Sequence, residues 1–145
     1  MSSSTGVATA TQWGTYGDIP VPGQYDGVIG DDYAVVRPFS NTVWGTAFWL
    51  VKGSSTSFTY STQWGQVSDI PLSADFYCSG NVPAIFRPAS GLWYVYDITF
   101  PPPNQLGAAG DIPVAADFEG SPAADFVVWR PSTAEWIWTE NVNPC

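Results

Sequence analysis

Residues 13–38 read WGTYGDIPVPGQYDGVIGDDYAVVRP, and the chain repeats this stretch twice more. The second copy, residues 64–88, reads WGQVSDIPLSADFYCSGNVPAIFRP, and the third, residues 106–131, reads LGAAGDIPVAADFEGSPAADFVVWRP. Each copy contains an Asp-Ile-Pro tripeptide and ends on an Arg-Pro dipeptide. The tripeptides start 51 and then 42 residues apart, a spacing typical of repeated supersecondary units.

The segments between these motifs predict short β-strands. Apolar runs such as YAVVR at 33–37 and TAFWLV at 46–51 are bounded by Gly, Pro and Asn, as strands usually are. Thirteen prolines and fourteen glycines argue against long helices. We therefore expect an all-β chain of propeller-type blades, each with about four short antiparallel strands, and about three repeats per chain.

In this interpretation the Asp-Ile-Pro strand is the last strand of each blade. The chain then divides into a half-blade at about 7–32, blades at about 33–74 and 83–116, and a half-blade at about 125–140. Three blades are too few for a ring, since closed propellers usually hold about four to eight. We expect the first and last half-blades to be completed between chains. Two chains would form a six-bladed ring, and a rotation that does not close would form a filament.

Composition excludes several classes of function. The 145-residue chain is 45% hydrophobic and only 12% charged, which suits one domain with a core. Its formal net charge of −9 argues against nucleic acid or an anionic membrane as a partner. No apolar run reaches about 18 residues, so membrane insertion is not expected. The chain has no His, which removes His-based triads and His metal sites, and we expect no enzyme activity.

Residue usage favours an extracellular or cell-surface location, because lysine is scarce while Ser, Thr, Trp and Tyr are abundant. Residues 1–12, MSSSTGVATATQ, have neither a basic region nor an apolar centre, so we do not expect an intact signal peptide in this chain. The two cysteines are Cys78 and Cys145. They fit pairing within a chain, pairing between chains, or free thiols.

The repeats resemble FG-GAP-like repeats, also known as VCBS or integrin-α-like repeats. The family pattern is roughly W-G-x-x-G-D-I-P-V-P-G-D-Y-D-G-D-G-x-x-D-x-A-V-x-R-P-S-x-G-x-W. The chain matches it with WGTYGDIPVPGQYDG and AVVRP, with SDIPLSADF and AIFRPASGLWYV, and with GDIPVAADFEG and VVWRPSTAEWIW. The resemblance covers almost the whole chain. It implies β-propellers, mostly in secreted or surface proteins that bind or adhere.

The same resemblance implies a calcium loop, D-x-D-x-D-G-x-x-D, after each Asp-Ile-Pro strand. Calcium takes about six to eight oxygen ligands, and the third repeat retains the fullest set while the second has lost the final Asp. The candidate ligands are Asp117, Glu119, Ser121 and Asp125 in the third loop, and Asp26 and Asp32 in the first. The alternative is that Asx-type hydrogen bonds hold these loops without an ion.

Three of the four cationic side chains in the sequence are the arginines of the repeated Arg-Pro dipeptides. Each guanidinium can pair with the Asp of its own or a neighbouring Asp-Ile-Pro, stack on a Trp, or bind a ligand. Threefold repetition favours a structural role. The residues concerned are Asp18 and Arg37, Asp69 and Arg87, and Asp111 and Arg130.

Aromatic side chains provide an alternative function. Some propeller lectins resemble this class of repeat, so aromatic residues between blades are candidates for stacking on sugars, although packing between blades is the other role open to them. The candidates are Trp93, Tyr94, Tyr96, Trp136 and Trp138. We expect a non-enzymatic structural or adhesive module whose main partner is itself, with a glycan-binding lectin as the alternative.

Overall fold

The computed structural model describes residues 6–39, 45–96 and 105–141, which form ten antiparallel strands in three small sheets. Sheet I has the order β1 (Ile19–Pro20), β2 (Tyr33–Phe39), β3 (Thr46–Lys52) and β4 (Thr59–Gln63). Sheet II consists of β5 (Ile70–Ala74), β6 (Val82–Arg87) and β7 (Leu92–Val95). Sheet III consists of β8 (Ile112–Ala116), β9 (Asp125–Arg130) and β10 (Glu135–Thr139). The all-β prediction is confirmed, and nothing in the described ranges forms a helix that could span a bilayer.

The strands group differently from the predicted blades. Each Asp-Ile-Pro strand opens a sheet, because β1 pairs with β2, β5 with β6, and β8 with β9. The prediction that β5 closes the blade containing β4 is wrong, since these two strands lie in different sheets. The physical reason is the repeated ion pair. The Asp that opens each tripeptide is bound by the Arg of the strand that follows it in the chain.

Two apolar cores join the three sheets. Between sheets I and II, Ile85 of β6 packs with Trp49 of β3. Between sheets II and III, Phe126 of β9 packs with Trp93 of β7, and their ring centroids are 5.5 Å apart. Sheet II is therefore covered on both faces. This explains why β6 is apolar without alternation and almost continuously buried.

Glycines with positive φ connect one sheet to the next. Gly65 (φ 88°) lies between β4 and β5, and Gly107 (φ 105°) precedes β8. Gly14 (φ 92°) occupies the same repeat position before β1. This left-handed conformation is available to glycine at little steric cost, and it turns the chain away from one sheet before the next begins.

Cys78 is disulfide-bonded, so the free-thiol alternative does not apply to it. It also adopts a positive φ of 58° in the loop between β5 and β6. Cys145 lies outside the described residues.

Candidate assembly site and other candidate sites

The three repeat arginines each bind the Asp of their own repeat through two hydrogen bonds. In the first repeat, Nε and Nη2 of Arg37 donate to the two carboxylate oxygens of Asp18, both at 2.8 Å. The second and third repeats have the same arrangement at 2.8–2.9 Å. The Asp side chains are only 1–4% exposed. This geometry is a structural clamp between two strands, and it occupies the Nε and Nη2 edge of each guanidinium.

The hydrogen bonds of the clamp also affect its protonation. The guanidinium of Arg37 lowers the pKa of Asp18, and that of Arg130 lowers the pKa of Asp111. The paired carboxylates in turn raise the pKa of Arg37 and Arg130. The clamps of the first and third repeats are therefore charged pairs over the ordinary pH range.

In the third candidate calcium loop, the acidic side chains accept hydrogen bonds from backbone amides. Asp117 Oδ1 accepts from the amides of Glu119 (3.2 Å) and Gly120 (2.6 Å). Asp125 is fully buried and accepts from the amides of Phe118 (2.9 Å) and Asn141 (3.0 Å). The hydroxyl of Ser121 donates to the carbonyl of Ala123. The loop is held together by contacts that need no ion.

The first loop is built in the same way. Asp32 is 2% exposed and accepts from the amides of Tyr25, Asp26 and Ser54. Asp26 accepts from the amide of Val28 and the hydroxyl of Thr56, and the hydrogen bond from Thr56 is the largest cause of its lowered pKa. Across the described ranges, no group of three or more His, Cys, Asp or Glu side chains is arranged to hold a metal.

The candidate aromatics of sheet II are used in packing. Trp93 is 1% exposed, and its indole N–H donates to the carbonyl of Leu106. Tyr94 lies 4.7 Å from the guanidinium of Arg87, and its hydroxyl accepts from the same side chain. Tyr96 is 40% exposed and contacts the ring of Trp64 at 5.4 Å. Trp93 is therefore not available to a ligand, whereas Tyr96 remains partly exposed beside Trp64.

The candidate aromatics of sheet III are exposed. Trp136 is 55% exposed and Trp138 is 43% exposed. Both rings contact Phe118, which is itself 46% exposed, at centroid distances of 6.1 and 5.9 Å. Their registry partners on β9 are Trp129 and Val127. We call these five residues the trailing face of sheet III, because they point away from sheet II.

The trailing face has buried counterparts in the other two sheets. The strand registers align Trp136 with Trp93 and Trp49, since the three pair with equivalent residues of β9, β6 and β2. Trp49 is 0% exposed. The counterparts of the whole face lie in the two cores: Phe76, Ala84, Phe86, Trp93 and Val95 in sheet II, and Tyr25, Ala34, Val36, Trp49 and Val51 in sheet I.

The opposite face of sheet I is only partly buried. Val35 and Leu50 are registry partners there, and they correspond to Ile85 with Tyr94 and to Val128 with Ile137, which face the preceding sheet in the two cores. We call Val35, Leu50 and their neighbours Tyr33 and Lys52 the leading face. A groove of about 330 Å³ opens beside it, lined in part by Trp13 and Tyr33.

No family model, curated protein or solved structure matches this chain. The candidate site is therefore defined by the internal repeat alone. Sequence reasoning selected Trp136 and Trp138 but missed Phe118 and Trp13. Both could have been found by alignment of the repeats, since Phe118 occupies the position of the core residue Phe76, and Trp13 that of Trp64.

Proposed function

We propose that this chain is a non-enzymatic structural or adhesive module that assembles with copies of itself by placing the leading face of one copy on the trailing face of the next. Its three sheets would then act as propeller-type blades, as the resemblance to FG-GAP-like repeats implies. Such a head-to-tail contact is heterologous, so it closes into a ring when the rotation allows and otherwise grows into a filament.

The observation that carries this proposal is the exposure of the trailing face. Phe118, Trp136 and Trp138 are 43–55% exposed, although their counterparts in sheets I and II lie in the core clusters, and the three rings form one apolar patch. Val127 of the same face is fully buried. Soluble monomers seldom leave large contiguous apolar patches uncovered. Inside the chain, the equivalent positions are covered by the leading face of the next sheet, and the leading face of sheet I is only partly buried in the described residues.

Charge supports the same pairing. Lys52 brings a positive charge to the leading face, where it lies 5.8 Å from the ring centre of Trp13. Beside the trailing face, Glu119 and Glu140 are close enough that the charge of Glu119 raises the pKa of Glu140. A second copy would bring Lys52 towards an acidic edge in an otherwise strongly acidic protein.

The disulfide at Cys78 favours an oxidising compartment, as a secreted or cell-surface module would occupy. This agrees with the location expected from composition. Localisation of the full-length protein in its host, by cell fractionation and antibody staining of intact cells, tests this part of the proposal.

A variant pair tests the assembly. Analytical ultracentrifugation of the parent is expected to show species of at least twice the 15.6 kDa chain mass. Trp138→Glu places a charge in the patch and is expected to shift the protein to monomer. Ile29→Glu is the matched control, since Ile29 is 96% exposed on a loop and should assemble like the parent. A parent that stays monomeric at 100 μM, about the affinity range of weak interfaces, would exclude the proposed function.

A glycan-binding lectin is the second candidate, and the exposed Phe118, Trp136 and Trp138 favour it because flat aromatic rings stack on sugar faces. Self-assembly and sugar binding would use the same aromatic patch, so one would exclude the other. A glycan array separates them: sugar binding that is inhibited by free monosaccharide and lost in Trp138→Glu would support the lectin, whereas a silent array with an assembled protein would support the module.

A further inference from the structure

We infer that residues 11–13 of one copy form the missing fourth strand of sheet III in the next copy, where they pair with β10. This inference rests on the proposed self-assembly and specifies its partner segment. Sheet I has a fourth strand, β4, beside β3. In sheet II, Gln105 forms an isolated bridge with Leu92 of β7 in the same place. Sheet III has three strands in the described residues, and β10 lies at its edge.

The chain contains one unused copy of the fourth-strand sequence. Thr-Gln-Trp occurs at residues 11–13 and again at 62–64, and Gln105 with Leu106 holds the same place in the third repeat. Residues 62–63 belong to β4, whereas residues 11–13 belong to no strand. Residues 6–13 also carry no charged side chain, so they can lie between Glu135 and Glu140 without adding like-charge repulsion.

The backbone that follows residues 11–13 already has the conformation of its two counterparts. The amide of Thr15 donates to Asp18 Oδ2 at 2.8 Å. The corresponding bonds, from Gln66 to Asp69 and from Ala108 to Asp111, are 2.8 and 2.9 Å. In both counterparts the residues just before this turn pair with the preceding sheet. The direction in which residues 11–13 leave sheet I is therefore the one that their two counterparts take towards the preceding sheet, and no such sheet lies there in the described residues.

The Trp13 side chain lies on sheet I much as Trp64 lies on sheet II. Its indole N–H donates to the carbonyl of Leu50 at 3.1 Å, and Lys52 lies above its ring. The ring of Trp64 contacts Tyr96, which occupies the position of Lys52 in the next repeat. Trp64 at the same time directly follows the fourth strand of sheet I, and its amide donates to the carbonyl of Ala47. Residues 11–13 would thus pair with β10 of another copy while the leading face packs on the trailing face of the same copy.

The registers of sheets I and II specify the contacts in sheet III. Phe48 pairs with Gln63, and Leu92 with Gln105, so Glu135 should pair with Gln12 of the other copy. The indole N–H groups of Trp49 and Trp93 donate to the carbonyls of Trp64 and Leu106. By the same rule, the indole of Trp136 should donate to the carbonyl of Trp13. Its exposed ring would then be covered as its counterparts are.

The same chain is a poor source of this strand. In the structure, residues 11–13 contact sheet I through Tyr33, Leu50 and Lys52. For them to reach β10 as well, three sheets would have to close into a ring, which is below the usual range of about four to eight blades. A second copy provides the strand with no such curvature.

A cysteine cross-link tests the pairing at one residue pair. Gln12→Cys and Glu135→Cys are placed on separate chains that carry tags of different mass, and the two chains are co-expressed and mildly oxidised. Trp64 donates its amide to Ala47, so the neighbouring pair, Phe48 with Gln63, is a non-hydrogen-bonded pair whose Cβ atoms are close enough for a disulfide. We expect a bond between residues 12 and 135 of different chains, identified by peptide mass mapping. The control pairs Gln12→Cys with Ser132→Cys, which lies in the exposed turn before β10, and should give at least tenfold less product.

The outcomes separate this inference from the proposed function. The expected bond between chains supports both. An assembled protein without that bond, in which the amides of β10 that do not bond to β9 exchange hydrogen as fast as exposed loops, overturns the strand pairing and leaves assembly standing. A monomer overturns both. A double variant that cross-links within a single monomeric chain shows that the ring closes on itself and overturns the inference.

Discussion

Trp93 and Trp136 occupy the same position in two successive sheets, yet Trp93 is 1% exposed and Trp136 is 55% exposed. The difference does not come from their own strands, which pair with β6 and β9 in equivalent registers. It comes from what lies above them: sheet III and the carbonyl of Leu106 cover Trp93. Trp136 contacts the ring of Phe118, which is itself 46% exposed.

Alanine should therefore affect the stability of the single chain at position 93 and the self-association of the protein at position 136. Trp93→Ala removes a fully buried ring and should lower the free energy of unfolding by about 3–5 kcal/mol. Trp136→Ala should change it by less than about 1 kcal/mol, as surface substitutions do, while it weakens assembly. Urea unfolding of dilute protein and ultracentrifugation measure the two effects. A large loss of monomer stability in Trp136→Ala would show that the ring is covered within the chain.

Proline at position 11 should prevent assembly without unfolding the monomer. The register places Thr11 opposite Trp136 of the other copy, as Thr62 lies opposite Trp49. Proline cannot donate a hydrogen bond to a neighbouring strand, and Thr11 belongs to no strand in the single chain. We expect Thr11→Pro to weaken self-association at least tenfold with little change in the unfolding midpoint. Thr62→Pro, in β4, should destabilise the monomer itself.

The clamp of the second repeat should contribute measurably to stability. Asp69 accepts two hydrogen bonds from Arg87 and one from the amide of Gln66, and its side chain is 1% exposed. Asp69→Asn keeps the shape but removes the charge, and should cost about 2 kcal/mol, the range for hydrogen bonds to charged groups. Asp31→Asn, on an exposed loop, is the control. Equal unfolding curves for both variants would contradict the structural role.

Acid should weaken the clamps of the first and third repeats. Hydrogen bonds from Arg37 and Arg130 lower the pKa of Asp18 and Asp111 in the folded state. A carboxyl with a lowered folded pKa contributes stability above its unfolded pKa, about 3.9, and this contribution is lost as the pH falls through the folded pKa. We expect a loss of stability below about pH 4 that is smaller in the double variant Asp18→Asn with Asp111→Asn. An identical pH profile in that variant would contradict this assignment.

Asp125 distinguishes the two interpretations of the candidate calcium loops. It is fully buried and accepts from two backbone amides, so Asp125→Ala should destabilise the protein by about 1–3 kcal/mol through unsatisfied donors. If the loop needs no ion, the loss is the same with calcium and with a chelator. Calcium-dependent heat in calorimetry of the parent, absent in Asp125→Ala, would support a metal site instead.

Much of the strand content could be predicted from the sequence, because apolar runs between Pro and Gly are local signals. The grouping of strands could not. The Asp-Ile-Pro segment lies between two apolar strands of similar pattern, and periodicity does not say which of them it joins. Which strand it joins depends on an ion pair between residues that are 18–19 positions apart, such as Asp69 and Arg87. From the sequence, pairing with this Asp is one of several roles open to the arginine.

The candidate site was only partly predictable for a related reason. Alternation along β10 placed Trp136 and Trp138 on one face, but their composition resembles that of the buried strands β3 and β7. Whether such a face is covered depends on the number of sheets that follow it. Only the repeat alignment of Phe118 with Phe76, combined with the observed exposures, shows that the last sheet has no neighbour in the described chain.

The molar mass in solution tests the central claim most directly. Sedimentation equilibrium of the parent chain over a concentration series should give a mass that rises above 15.6 kDa to at least twice that value, with Thr11→Pro remaining at the chain mass. A parent that sediments as a single 15.6 kDa species at every concentration would contradict the account.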